Sequence, residues 1–150
     1  MDKLRVGTGE WVVVCDGAKA LVFENAGDAK FPNLKTREVY EQENPKTSEA
    51  GTDAPGRSVN STGSARSTME QTDWHDEAEK AFLGQLASRL NAAVEAGESK
   101  AIVVVAAPRA LGVLRQSFSA GVKDVIKAEI GKDYVKMPVH QIEKLLLGAP

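Results

Sequence analysis

The sequence predicts a three-layer α/β domain built on a mixed five-stranded sheet. Trp11 to Cys15 (WVVVC) and Ala101 to Ala107 (AIVVVAA) are apolar without alternation, as strands are when both faces of a sheet are covered. Ala78, Phe82, Leu86, Leu90 and Ala93 with Val94 recur at three- and four-residue spacing, the stripe of an amphipathic helix. The chain has 150 residues, the size of one domain. A domain of that size buries roughly two-thirds of the surface its unfolded chain exposes. Hydrophobic residues at 42% and charged residues at 27% exclude a disordered chain or a fibre.

The elements follow in order. After the Trp11 strand, Asp16-Gly17-Ala18-Lys19 supplies turn chemistry and Ala20 to Asn25 (ALVFEN) resumes strand composition, so the pair reads as a hairpin. A second turn at Asn25-Ala26-Gly27-Asp28 leads to Leu34 to Glu43 (LKTREVYEQE). Its mixture of Val, Thr and Tyr with charges fits an edge strand guarded against other chains. The striped helix is expected to start at Thr72 or Asp73 as cap, with Asp76, Glu77 and Glu79 near its positive end and Gly97 closing it. Pro108 suits a first helical position, with Leu111, Leu114 and Phe118 on one face of a short helix. Ile126, Ala128 and Ile130 alternate with Lys127 and Glu129, which marks a half-exposed strand at the opposite edge. Pro138 opens a last helix carrying Val139, Ile142, Leu145 and Leu146.

The order is therefore βββαβαβα. Right-handed crossovers between parallel strands then give a sheet order 3-2-1-4-5, with the two apolar strands central and the charged strands at the edges. This is a ribonuclease H-like layout. Residues 1–150 are expected to form a single domain, with 1–10 a flexible tail and 44–73 a long polar loop between strand 3 and the first helix.

That loop has thirty residues with three Gly, two Pro and ten Ser or Thr, far longer than typical connections of ~4 to 6 residues. Gly56 to Ser67 (GRSVNSTGSARS) carries Arg57 and Arg66, several hydroxyls and no acidic residue. A glycine-rich backbone with guanidinium forks suits a phosphate or an RNA backbone. The bland alternative is a solvated insertion. The loop holds no aromatic residue, which argues against base stacking.

A net charge of −2 gives no overall field toward nucleic acid or an anionic membrane. The single cysteine, Cys15, excludes an internal disulfide and fits a reducing compartment. The N-terminal MDKLRVGTGEW lacks the apolar run of a secretory signal, and no segment approaches the ~18 apolar residues of a membrane span, so a cytoplasmic location is expected.

Five segments carry a resemblance: WVVVCDGAKALVFEN, PGRS with GSAR, DWHDEAEKAFLGQLASRL, VVVAAPRALGVLR, and AEIGKDYVKMPVHQIEKLL. Together, from Trp11 to Leu146, the chain resembles the bacterial host attachment proteins, which are related to the archaeal and eukaryotic class 1 release factors. In those factors a ribonuclease H-like middle domain carries a Gly-Gly-Gln loop that promotes hydrolysis of peptidyl-tRNA. Here Gly56 is followed by Arg57 and Ser58, and Gly-Gly-Gln occurs nowhere. The resemblance thus implies binding to ribosome or tRNA without ester hydrolysis, with Gly56, Arg57, Ser58, Gly63 and Arg66 as contact residues.

Other constellations are weaker. Asp73, His75, Asp76 and Glu77 form a polar cluster, and His75 and Glu79 share a helical face at a spacing of four. A lone His among capping acids is more often a surface residue, so neither metal nor cofactor is expected. Asp16 ends the first strand where some ribonuclease H-like nucleases keep a metal ligand, but beside Gly17 it reads more simply as a turn residue. Cys15 reads as a small core residue and His140 as solvated. Pro108-Arg109 ends a central strand, where open α/β sheets place ligands, so Arg109 joins the RNA- or ribosome-binding candidates.

Three functions remain open. The first is a ribosome- or tRNA-binding factor, more a binding protein than an enzyme. The second is a protein required for attachment to host cells, with any such role indirect. The third is a metal-dependent nuclease or other hydrolase using Asp16 and the acids at the start of the striped helix. A monomer or weak homodimer is expected, with charges at Lys35, Arg37 and Glu41 opposing dimerisation through strand 3.

Overall fold

The computed structural model describes residues 6–42 and 64–148, with side chains placed for 6–42 and 76–146. Among these residues the chain runs β1 (Trp11–Cys15), β2 (Lys19–Asn25), β3 (Leu34–Glu41), α1 (Ser64–Glu95), β4 (Ile102–Ala106), α2 (Pro108–Ser117), α3 (Ala120–Val125), β5 (Ile126–Ile130) and α4 (Val139–Gly148). The sheet order is β3-β2-β1-β4-β5. β1 and β2 pair antiparallel, as do β2 and β3, whereas β1 with β4 and β4 with β5 are parallel. This is the ribonuclease H-like arrangement that the sequence predicts.

The continuous apolar runs divide between two cores because successive residues of a strand point to opposite faces. Trp11, Val13, Cys15, Ile102, Val104 and Ala106 pack against α1, α2 and α3. Val12, Val14, Val103 and Val105 pack against Ile142 and Leu146 of α4 and against Val6 and Val135. Each fully buried aliphatic side chain contributes about 1.5 to 3 kcal/mol, so the double coverage of β1 and β4 anchors the sheet. On α1 the buried stripe is Phe82, Leu83, Leu86, Ala87, Leu90 and Ala93. Asn91 fastens the next corner, since its amide donates to the Ser117 carbonyl at 3.2 Å and accepts from the Ser119 N–H at 2.8 Å.

Three expectations change. α1 begins at Ser64, not at Thr72 or Asp73, so residues 64–73 of the expected loop are helix. Between Gly63 and Gly84 no Gly or Pro interrupts the chain, and Asp73, although a good cap residue, costs at most about 0.7 kcal/mol inside a helix, too little to stop one. Asp76, Glu77 and Glu79 therefore lie inside the helix, away from its positive end. A short helix, α3, appears where no element is expected, started by the Ser119 hydroxyl accepting from the Val122 N–H at 3.2 Å. Finally, residues 6–10 of the expected tail are fastened. Val6 is buried and its carbonyl accepts from the Asn25 side chain at 2.7 Å, while the Gly9 N–H donates to the Asn25 carbonyl at 2.8 Å. No helix among the described residues is long and apolar enough to cross a membrane.

Candidate functional site

The chain leaves β1 toward β2 on one side and leaves β4 through α2 toward β5 on the other. Where neighbouring parallel strands send their connections in opposite directions, a crevice opens beyond their carboxyl ends. A cleft of about 180 Å³ lies there, lined by Gly17 after β1, Arg109, Ala110 and Val113 of α2, and Asp76, Glu79, Lys80 and Leu83 of α1.

Arg109 is where the sequence places it, one residue into α2 behind Pro108. Its partners were not legible. The guanidinium donates to the Asp76 carboxylate and stands 3.7 Å from that of Glu79. The hydrogen bond to Asp76, then the two negative charges, hold the Arg109 pKa above its ordinary value. The side chain nevertheless remains 65% exposed. Gly17 makes room for this cluster, because a Cβ there would stand 2.6 Å from Cδ of Glu79.

Asp16 is committed to the turn, as expected. One of its carboxylate oxygens accepts from the Ala18 and Lys19 N–H groups, each at 2.8 Å. Cys15 beside it is buried, and burial, followed by the charges of Asp16 and Asp133, pushes its thiol up to about 12. It is a core thiol, protonated at physiological pH. Among the described residues no three His, Cys, Asp or Glu side chains converge in a way that could hold a metal ion. His140 is exposed, and the side chain of His75 lies outside the described residues. What the cleft presents is a cation clasped by two acids next to exposed Lys80, an arrangement suited to exchanging ion pairs with a polar partner.

A second charged group lies at the far end of the sheet. Arg89 of α1 grips both carboxylate oxygens of Glu38 on β3 at 3.1 and 2.5 Å, and the Tyr40 hydroxyl donates to the same carboxylate at 2.5 Å. Arg89 also reaches Glu98 at 3.0 Å. Arg37 joins Glu24 at 2.9 Å and Glu98 at 3.3 Å while lying 4.7 Å over the Trp11 ring. These contacts brace edge strand β3 against α1.

The sequence-predicted binding residues divide. Gly56, Arg57, Ser58 and Gly63 lie outside the described residues, Arg66 falls in the first turn of α1, and Arg109 lines the cleft. In the sequence Asp76 and Glu79 stand out as helix-start acids and as neighbours of His75 in a polar cluster, not as partners of Arg109. Their three-residue spacing, which gives two carboxylates one helical face, was the available signal.

No curated protein matches the chain. The family model described as "Protein required for attachment to host cells" matches residues 11–146, from the first residue of β1 into α4. The chain belongs to this host attachment family.

Proposed function

We propose that the protein serves attachment to host cells as a binding module and engages its partner at the Arg109 cleft. The observation that carries the first half is the family match, which spans all five strands and every residue lining the cleft. The second half rests on the cleft's position at the divergence of β1 and β4 and on its exposed ion pairs. Pairs this exposed to water contribute little net stability, so an incoming charged group exchanges with Asp76 at little cost.

Deleting the gene from its source cell and counting cells retained on a host-cell layer tests the reading. Retention is expected to fall and to recover with the wild-type gene, but not with Arg109→Glu. Unchanged retention after deletion overturns the attachment role. Full rescue by a folded Arg109→Glu protein overturns the cleft assignment alone.

A second reading is the ribosome or tRNA contact implied by the release-factor resemblance, which rests on that resemblance and on the Arg57 and Arg66 segment. Arg109 is shared by both readings, since its exposed pair with Asp76 exchanges for a phosphate as readily as for another anion. Co-sedimentation with ribosomes that is lost on replacing Arg57 and Arg66 by Ala supports it, and absence of co-sedimentation at moderate salt removes it.

A further inference from the structure

We propose that the Arg109 cleft holds a free α-amino acid with a small aliphatic side chain, its carboxylate on Arg109 and Lys80 and its ammonium on Asp76 and Glu79. The inference rests on the reading of this cleft as the binding site and names the small molecule that enters it. It requires no role in attachment.

Size narrows the ligand first. The cleft encloses about 180 Å³. Ordinary small-molecule pockets enclose about 300 to 1,000 Å³, so this one takes a small molecule and not a nucleotide. Its floor is apolar, with Leu83 of α1 and Ala110 of α2 buried and Val113 one turn further along α2. A short aliphatic side chain fits there.

Charge narrows the ligand further. Asp76, Glu79, Lys80 and Leu83 share one face of α1 at three- and four-residue spacing, and Arg109 faces them from α2. Both contacts of Arg109 with these acids run through Nη2, so Nε and Nη1 have no acceptor among the described residues. Asp76 meets Arg109 through Oδ1. Lys80 has no ion-pair partner among the described residues. Two cations thus stand beside two carboxylates with bonding capacity left on both sides, and a ligand that brings both charges has no pair to break.

An anion alone finds Arg109 and Lys80 but leaves Asp76 and Glu79 facing it without a counter-charge, and a cation alone meets the reverse. An α-amino acid carries both charges on either side of a single carbon, which sets each against its opposite. Its carboxylate accepts charge-assisted bonds from the guanidinium and the lysine, and its ammonium donates to the two acids. Inner residues of a peptide chain have lost both charges, so the site selects the free molecule. Gly17 completes the wall, because a Cβ there would stand 2.6 Å from Cδ of Glu79 and push that carboxylate aside.

Isothermal titration calorimetry of the full chain with L-valine and L-leucine tests this, with circular dichroism confirming that each variant folds. Saturable binding at millimolar concentration or below is expected. N-acetyl-L-valine lacks the ammonium and L-valinamide lacks the carboxylate, and each is expected to bind about tenfold more weakly or worse. Arg109→Gln and Asp76→Asn are expected to weaken L-valine binding by about the same tenfold. Absence of saturable binding by both amino acids overturns the proposal. So does equal binding of N-acetyl-L-valine or L-valinamide, or a folded variant of either kind that binds as the wild type does. None of these outcomes touches a loss of cell retention with Arg109→Glu, and unchanged retention leaves L-valine binding standing, so the two readings fail separately.

Discussion

Glu38 sits on an edge strand, yet its carboxylate is only 18% exposed and receives three hydrogen bonds, two from Arg89 and one from Tyr40. Burial works against its charge. The hydrogen bonds from Arg89 and Tyr40, with the charges of Arg89 and Arg37, outweigh that and hold its carboxyl below the ordinary 4.5. Because the folded value is depressed, the stabilisation is complete above the unfolded value and is lost as pH falls through the folded one. Hydrogen bonds to a charged group contribute about 1.5 to 3 kcal/mol, so Glu38→Gln is expected to lower stability by about that much at neutral pH. Melting temperatures of both proteins, taken from neutral pH down through the carboxylate range, check this. The gap between them should close as pH drops below 4.5. A gap that stays constant assigns the effect to shape rather than charge.

At the scale of elements, legibility followed how many neighbours a segment answers to. β1 and β4 are covered on both faces, and that demand writes five consecutive buried residues into each strand. The middle of α1 was legible for the same reason, since Phe82, Leu86 and Leu90 all face the sheet. Its beginning was not, because Asp73 carries a local capping preference that the continuing helix overrides. α3 has six residues and only Val122 buried, too little for a period to show. The site divides likewise. Pro108 after an apolar run announced the place of Arg109, but its partner Asp76 is 33 residues away and no local pattern links them.

The end of α1 offers a measurable case of what was legible. Gly97 has φ +78°, and the Glu98 N–H returns to the Ala93 carbonyl at 2.9 Å as the Gly97 N–H meets that of Val94 at 3.0 Å. These two bonds close the helix by a left-handed residue. Nothing lies within 4 Å of a Cβ built at Gly97, so Gly97→Ala meets no clash and only the backbone conformation opposes it. A loss of about 1 to 2 kcal/mol is expected. Urea unfolding measures it, and a neutral or stabilising result rules out the left-handed turn.

For the molecule as a whole, the two cores share one sheet, so opening either face exposes the same strands. Val13 and Val14 are adjacent in β1 yet belong to different clusters, and neither cluster can come apart while β1 stays paired to β2 and β4. This predicts one cooperative unit, and Cys15 reports on it. It is the chain's single cysteine, it lies fully buried at the end of β1, and its thiol is pushed up to about 12, chiefly by burial. Reaction with a thiol reagent therefore needs both exposure and a normal thiolate, which only an opened state provides. Labelling in native buffer is expected to be slower than in denaturant by the factor that the unfolding equilibrium sets. The free energy derived from labelling should match that from circular dichroism. Fast labelling that is insensitive to denaturant would instead show that the carboxyl ends of β1 and β4, and with them the Arg109 cleft, open independently of the rest of the sheet.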